Sequence, residues 1–231
     1  MNVYLLVLSS MFCAISVSTC FRLAPFSRMR DLRLFSTDKE RVRHITYNWV
    51  KEIVFGLNLC PFSGAVLANS DKEDKMRIVV HDDDDSAKFL ESIYLEECRT
   101  LAQHAAAGKT TLLVLPSLAA SFEEFLALYE ICEDLLEADN LDESIQLASF
   151  HPSYQFADTE KEDVTNYTNR SPFPVIHLLR IADVREAIES YEKTKGATDA
   201  IYEKNMQLMS DMGSQELQRR LQGLKEPKHE Q

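Results

Sequence analysis

The sequence predicts a single α/β domain, in which a small and mostly parallel sheet of about three to four strands is flanked by helices. Short apolar runs at residues 76–81, 110–115 and 144–150 have the length of buried strands. Segments with apolar residues at helical spacing lie before, between and after these runs. Because strands that alternate with helices commonly share one sheet with crossover helices, we expect this architecture.

The predicted helices each show an apolar stripe or a terminal signal. Ser121 and Glu124 form a capping box for a helix that ends near residue 137. The four acids at residues 82–85 precede another helix, where its dipole favours negative charge. The predicted helices cover residues 40–57, 86–107, 121–137, 175–191 and 198–209. Gly108 is predicted to end the second of these helices.

The chain is predicted to have three parts. Residues 1–36 read as a presequence, with an apolar run of signal-peptide length at residues 4–17 and an Arg- and Ser-rich segment after it. This order resembles the two-part presequence of algae with secondary plastids, which implies a plastid location. Secretion and mitochondrial import are the alternatives. Residues 38–212 are the predicted α/β domain, and residues 213–231 a polar, flexible tail.

Composition excludes some classes of partner. The chain has 231 residues and a formal net charge of −12, which makes a nucleic-acid partner a poor fit because phosphate binding needs clustered Lys and Arg. Hydrophobic residues make up 45%, an ordinary value for a soluble protein, so no membrane partner is expected after the presequence is removed. No His or Cys pair has zinc-like spacing, and no phosphate or dinucleotide loop occurs. The sequence therefore predicts no metal and identifies no cofactor.

Cys60 begins a Cys-Pro-Phe-Ser segment directly after the first predicted helix. A Pro after the Cys suits a helix start, where backbone amides stabilise thiolate and lower the thiol pKa. The four residues also resemble the single-cysteine active site of a glutaredoxin, although a helix rather than a strand precedes them. The alternative is a Cys packed in a tight turn, with Pro61 ending the helix.

His151 follows the third predicted strand, and Pro152 fixes the backbone just after it. A His at a strand end can act as a general base near neutral pH. Its ring can instead hydrogen-bond loop carbonyls. Asn166 and Asn169, further along the same loop, can orient such a base or stabilise an oxyanion, or they can tie the loop to its own backbone.

Arg170 lies in a Pro-bounded turn, next to Ser171. A fixed Arg is a natural bidentate anchor for a carboxylate or phosphate, so the predicted partner is a small anionic molecule. Tyr154 and Tyr167 complete the predicted substrate-binding set. The alternative is a salt bridge to one of the acids in the loop: Asp158, Glu162 or Asp163.

The segments Trp-Val-Lys-Glu-Ile-Val-Phe-Gly-Leu-Asn-Leu-Cys-Pro-Phe and Ala148–Arg180, with the spacing between them, resemble the family known as domain of unknown function 1415. The resemblance extends from about Trp49 to about Met212. It implies a single domain and brings no reaction, cofactor or catalytic residue with it.

Three functional hypotheses remain open. In the first, the protein is a cysteine-dependent enzyme acting on a small anionic metabolite, with Cys60 as nucleophile, His151 as base and Asn166 or Asn169 as the orienting group. In the second, it is a non-catalytic small-molecule binding module that depends on Arg170. In the third, it is a glutathione-linked thiol redox protein centred on Cys60.

Overall fold

The computed structural model describes residues 39–60, 76–103, 109–195 and 199–226. The predicted presequence, residues 61–63 after Cys60, and Gly108 lie outside the described residues. The four strands are β1 (Met76–Val80), β2 (Thr110–Val114), β3 (Ile145–Phe150) and β4 (Val175–Arg180).

Five helical elements surround the sheet. Helix α1 spans Lys39–Trp49 and continues as a π-helical turn, Val50–Phe55. Helix α2 has three consecutive parts: an α-helical turn Ser86–Phe89, a π-helical segment Leu90–Tyr94, and an α-helix Leu95–Gln103. The others are α3 (Phe122–Ala138), α4 (Ile181–Lys195) and α5 (Asp199–Gly223), and a short 3-10 helix, Val164–Thr168, interrupts the loop between β3 and β4. Within the described ranges, no helix combines the length and the apolar composition needed to cross a membrane.

The sheet has the strand order β1-β2-β4-β3 and is mixed, so the prediction of a mostly parallel sheet is wrong while the α/β class is confirmed. Strands β1 and β2 pair in parallel, whereas β4 pairs antiparallel with both β2 and β3. The three strands found from the sequence therefore still point the same way. Their carboxyl ends and the start of β4 meet at one edge of the sheet.

Strand β4 was predicted as the first part of a helix, and that prediction is wrong. Its sequence, Val-Ile-His-Leu-Leu-Arg, is a continuous apolar run that fits a buried strand or a buried helix equally well. Helix α4 begins at the next residue, Ile181, so no turn signal separates the two elements. Residues 175–180 form a strand because their backbone groups pair with β2 on one side and with β3 on the other.

The two faces of the sheet pack against different helices. On one face, Leu113 and Leu115 of the β2 region pack with α2 and α3. On the other face, Leu112 and Val114 pack with α1, α5 and Tyr167. This alternation follows from the two-residue period of a strand, and every helix except α4 contributes buried residues to one of these two layers.

Two predicted helix starts are confirmed. The hydroxyl of Ser121 accepts from the backbone amide of Glu124, and the Glu124 carboxylate accepts in return from the Ser121 amide. The Asp85 side chain accepts from the amide of Lys88 at the start of α2. Asp82 and Asp83 form salt bridges with Lys39 and Lys88, at 2.9 and 2.7 Å.

Residues 213–231 are predicted to be a polar, flexible tail, but residues 213–223 form the second half of α5; residues 227–231 lie outside the described residues. The helix is interrupted at Gly213, whose positive φ of 72° favours glycine, and then continues to Gly223. Leu217 and Leu224 in this part are only 4% and 5% exposed and pack on the α1 face of the sheet. Their apolar spacing is hidden by the polar residues around them.

His177 lies at the middle of β4, beside the ring of Phe150 at 6.3 Å. The Thr110 hydroxyl donates to the Leu178 carbonyl at 3.0 Å, so its oxygen is left to accept from Nε2 of His177. Burial lowers the pKa of His177 to about 4. The imidazole is therefore neutral in the folded protein at physiological pH.

We expect Leu217→Ala to lower the free energy of unfolding by about 2–3 kcal/mol, because it removes a buried side chain from the core. The exposed neighbour Gln215→Ala should change it by less than about 0.5 kcal/mol. Urea denaturation followed by circular dichroism measures both. Equal and small effects would show that this half of α5 does not pack on the domain.

The neutral His177 predicts a pH dependence of stability. In the unfolded chain its pKa returns to about 6.5, so between pH 6.5 and about 4 only the unfolded state takes up the proton. The contribution of His177 is present above pH 6.5 and is lost as the pH falls, by up to about 3 kcal/mol. His177→Gln retains a donor for Thr110 without titrating, so its unfolding free energy should fall less between pH 6.5 and 4.5. Parallel curves for the two proteins would contradict this assignment.

Candidate functional site

A cleft of about 220 Å³ lies between the loop after β3 and the last turns of α5. The loop supplies Pro152, Tyr167, Arg170, Ser171 and Pro172, and the helix and the turn after it supply Gln218, Leu221, Gln222 and Lys225. Three of the four predicted substrate-binding residues thus meet in one cleft: Tyr167, Arg170 and Ser171. No carboxylate side chain is among the residues that line it.

The buried amide of Asn166 fixes the loop that forms one wall. Its Oδ1 accepts from the amide of Phe156 at 2.9 Å and from the hydroxyl of Thr159 at 2.8 Å. Its Nδ2 donates to the carbonyl of Glu160 at 2.8 Å, and the side chain is fully buried. Because both ends of the amide bind the loop itself, the geometry favours a structural role for Asn166 over a catalytic one.

Arg170 is held in place by its neighbours and has no carboxylate partner within ion-pair distance in the described part of the chain. Its guanidinium lies over the ring of Tyr167, 4.3 Å from the centroid. Nε donates to the carbonyl of Tyr154 at 3.3 Å and Nη2 to the carbonyl of Lys161 at 2.6 Å. These contacts use one edge of the guanidinium and leave Nη1 without an acceptor among the described residues. The alternative salt bridge to a loop acid does not form there.

The side chains of Tyr154 and Ser171 are buried in the wall of the cleft and do not offer free polar groups to a ligand. The Tyr154 ring is buried against Phe122 at 5.0 Å, and burial raises the pKa of its phenol to about 12. Its contribution to the site is the carbonyl that holds Arg170. The Ser171 hydroxyl donates to the carbonyl of Phe173 and is buried. Both residues therefore shape the wall of the cleft.

Lys225 is the cleft residue that the sequence prediction missed. Its ammonium group lies 5.2 Å from the centroid of the Phe173 ring, and partial burial of that group lowers its pKa although the residue as a whole remains exposed. Its carbonyl accepts from Arg41 of α1 at 3.2 Å, which fixes the backbone there. Among the described residues it has no carboxylate partner. The leucines before it, Leu217, Leu221 and Leu224, have helical spacing, but the polar residues around them hide that spacing, so no local signal points to Lys225.

His151 lies at the predicted sheet edge, but neither ring nitrogen is available to a substrate. Nδ1 accepts from the amide of Ser153 at 3.0 Å, which leaves the proton on Nε2 for the carbonyl of Ala119 at 3.3 Å. The ring is 1% exposed and packs against Phe122 and Phe125. Burial lowers its pKa, so the imidazole is held neutral. This geometry favours a structural role.

The structure brings three of the four predicted catalytic residues into one loop, where the amide of His151 donates to the carbonyl of Asn169 at 3.2 Å, but Cys60 lies on a different element. Cys60 is partly buried and follows Leu59, whose carbonyl accepts from Asn205 in the first half of α5 at 2.8 Å. Leu59 packs on the α1 and α5 face of the sheet, whereas His151 packs on the α2 and α3 face. Asn169 donates to the carbonyl of Ser149 at 3.0 Å and so ties the loop to β3.

His81 follows β1 and is 3% exposed, and its Nε2 has no hydrogen-bond partner in the described part of the chain. Its ring packs against Phe89 at a centroid distance of 5.4 Å. Among the described residues, no group of three His, Cys, Asp or Glu side chains is placed to hold a metal ion.

Comparison with known proteins identifies the family. A family model described as "Protein of unknown function (DUF1415)" matches residues 41–219, so the chain belongs to this family. A search of curated proteins found no match. A search of solved structures found none either.

We expect His151→Ala to lower the free energy of unfolding by about 2–4 kcal/mol, because it leaves a cavity and unpaired loop groups. It should leave the pH dependence of Cys60 alkylation unchanged, since Leu59, the neighbour of Cys60, packs on the face of the sheet opposite to the rings that surround His151. Peptide-resolved mass spectrometry measures alkylation of Cys60 separately from that of the buried Cys98 and Cys132. A rise in the apparent pKa of the Cys60 thiol on substitution would instead establish a thiol–imidazole pair.

Proposed function

We propose that this member of the DUF1415 family binds a small metabolite bearing a carboxylate or phosphate group, in the cleft between the loop at residues 167–172 and the end of α5. One observation supports this proposal most. Arg170 and Lys225 line the same cleft, and neither has a carboxylate partner among the described residues. Although the chain as a whole has a net charge of −12, these two cations make the cleft locally positive.

The fixed position of Arg170 strengthens the argument. An ordinary surface Arg is mobile, and ordering it on a ligand costs side-chain entropy. Here the Tyr167 ring and two loop carbonyls already order the guanidinium. An anion that binds the remaining N–H groups therefore meets a preorganised donor, and charge-assisted hydrogen bonds of this kind are strong.

The size of the cleft limits the ligand. A volume of about 220 Å³ is below the usual range for drug-sized ligands, which supports a small metabolite over a polymer or a large cofactor. Pro152, Pro172 and Leu221 give the walls an apolar character, and the two glutamines add neutral hydrogen-bonding groups. This combination suits a compact anion with a short carbon skeleton.

Binding without covalent catalysis is the better supported of the hypotheses. A cysteine-dependent enzyme needs a base for Cys60, and the ring nitrogens of His151 both bind backbone groups. Both ends of the Asn166 amide likewise bind groups of the loop. The glutathione-linked redox hypothesis rests on Cys60 and on residues 61–63. Of these, residues 61–63 lie outside the described part of the chain.

We expect inorganic phosphate or succinate to bind at low ionic strength and Arg170→Gln to weaken that binding at least tenfold, since a lost charge-assisted hydrogen bond costs about 1.5–3 kcal/mol. Isothermal titration calorimetry measures the affinity. Arg219→Gln is the matched control, because it removes the same charge from α5 at a position paired with Glu216 and outside the cleft. Thermal unfolding confirms that each variant is folded.

Two results would contradict the proposal. The first is no saturable binding of either probe. The second is an equal loss of affinity in both variants, which would show attraction to net charge alone. Raising the salt concentration should weaken site-specific binding only partly, because the Arg170 contact is half-buried and less screened than an exposed charge.

A further inference from the structure

We infer that the cleft selects a dianion, whose two charges are met by Arg170 and Lys225 together, over a monoanion held by Arg170 alone. This inference rests on the proposed function and specifies its ligand class. A phosphate monoester and a short dicarboxylate share the required chemistry. The two differ in whether both charges lie on one phosphoryl group or at the two ends of a carbon chain.

Arg170 and Lys225 are each positioned by an aromatic ring. Arg170 lies over Tyr167 and Lys225 over Phe173, at 4.3 and 5.2 Å from the ring centroids. Cation–π contacts orient a positive group without neutralising it. Both residues line the cleft and neither has a carboxylate partner among the described residues, in contrast to Arg99, which is salt-bridged to Asp139.

The charges in the cleft are unbalanced. Two positive residues and no acid line it, so like charges are brought into one small space, where they repel each other. A monoanion neutralises one of them and leaves the other exposed to a partly desolvated space. A dianion neutralises both and removes the repulsion, so its second charge contributes binding free energy that a monoanion lacks.

The two cations come from separate elements. Arg170 belongs to the loop that Asn166 fixes, whereas Lys225 follows α5 and is tied to α1 through its carbonyl. A ligand that contacts both groups bridges the two walls of the cleft. Gln218 and Gln222 of α5 also line the cleft and can donate or accept around the ligand.

The experiment compares matched pairs of probes that differ in charge at pH 7.5. Methyl phosphate is mostly dianionic at this pH, whereas dimethyl phosphate carries one charge. Succinate and its monoamide, succinamate, form the second pair. Calorimetric titrations are made with the wild-type chain, Lys225→Gln, Arg170→Gln and the charge-matched control Arg219→Gln. Lys225→Gln keeps every backbone contact at that position, so it tests the inference even if Arg170→Gln perturbs the loop.

We expect the dianion of at least one pair to bind about tenfold or more tightly than its monoanionic partner in the wild type and in the control. In Lys225→Gln this preference should fall below about threefold, while the affinity for the monoanion stays within about twofold. The pair with the larger preference identifies the source of the charges, a phosphoryl group or two carboxylates. Affinity for the dianion should also fall at high pH as Lys225 loses its proton.

The outcomes separate the inference from the proposed function. If both members of each pair bind equally well in the wild type, or if the preference survives in Lys225→Gln, the inference is wrong. The proposed function still stands in that case, provided that Arg170→Gln weakens binding and Arg219→Gln does not. If none of the four probes binds, both the inference and the proposed function are overturned.

Discussion

The antiparallel insertion of β4 between β2 and β3 is the constraint on which the candidate site depends. Because β3 and β4 are hydrogen-bonded neighbours of opposite direction, the chain between them must leave and re-enter the sheet at the same edge. The loop therefore cannot cross the sheet as a helical connection does. It stays at the edge where β1 and β2 also end, and one wall of the cleft is built there from its own residues.

A long loop at a sheet edge needs hydrogen bonds within itself, since its backbone groups do not pair with a neighbouring strand. Asn166 supplies them from a fully buried amide that binds three loop groups, and Asn169 adds a bond to the end of β3. A buried polar group left unpaired costs about 1–3 kcal/mol, so the loop conformation that satisfies this amide is strongly favoured. Arg170 comes next in the chain. Its guanidinium donates to two further loop carbonyls and is thereby fixed to the same rigid loop.

The sequence was sufficient where local signals decide structure. The three strands identified from the sequence and the Ser121 capping box follow from patterns of neighbouring residues, and the structure has them where these patterns predict. Local patterns also indicated Arg170, Tyr167 and Ser171, which line one cleft, and their part in binding stays a prediction. The sequence was insufficient where partners distant in the chain decide. Residues 175–180 fit either a strand or a helix until pairing with β2 and β3 is known, and Leu217 shows its burial only once α1 and the sheet face are in place. The position of His151 after a strand predicts a general base. The hydrogen bonds of its ring to Ala119 and Ser153, which favour a structural role instead, cannot be predicted from the spacing of residues.

The second half of α5 links the fold to the cleft. Gly213 interrupts the helix in a conformation that other residues rarely adopt, so the direction of the following turns is set at that position. Leu217 and Leu224 then fix those turns on the hydrophobic core, while α5 packs against the 3-10 helix of the loop. Gln218, Leu221 and Gln222 lie on the same helical segment and thereby face the loop across the cleft. Buried amide bonds hold the loop wall, apolar packing holds the helix wall, and contact between α5 and the 3-10 helix joins the two. A ligand that bridges Arg170 and Lys225 joins two elements that are already positioned, so its binding free energy need not be spent on ordering either one.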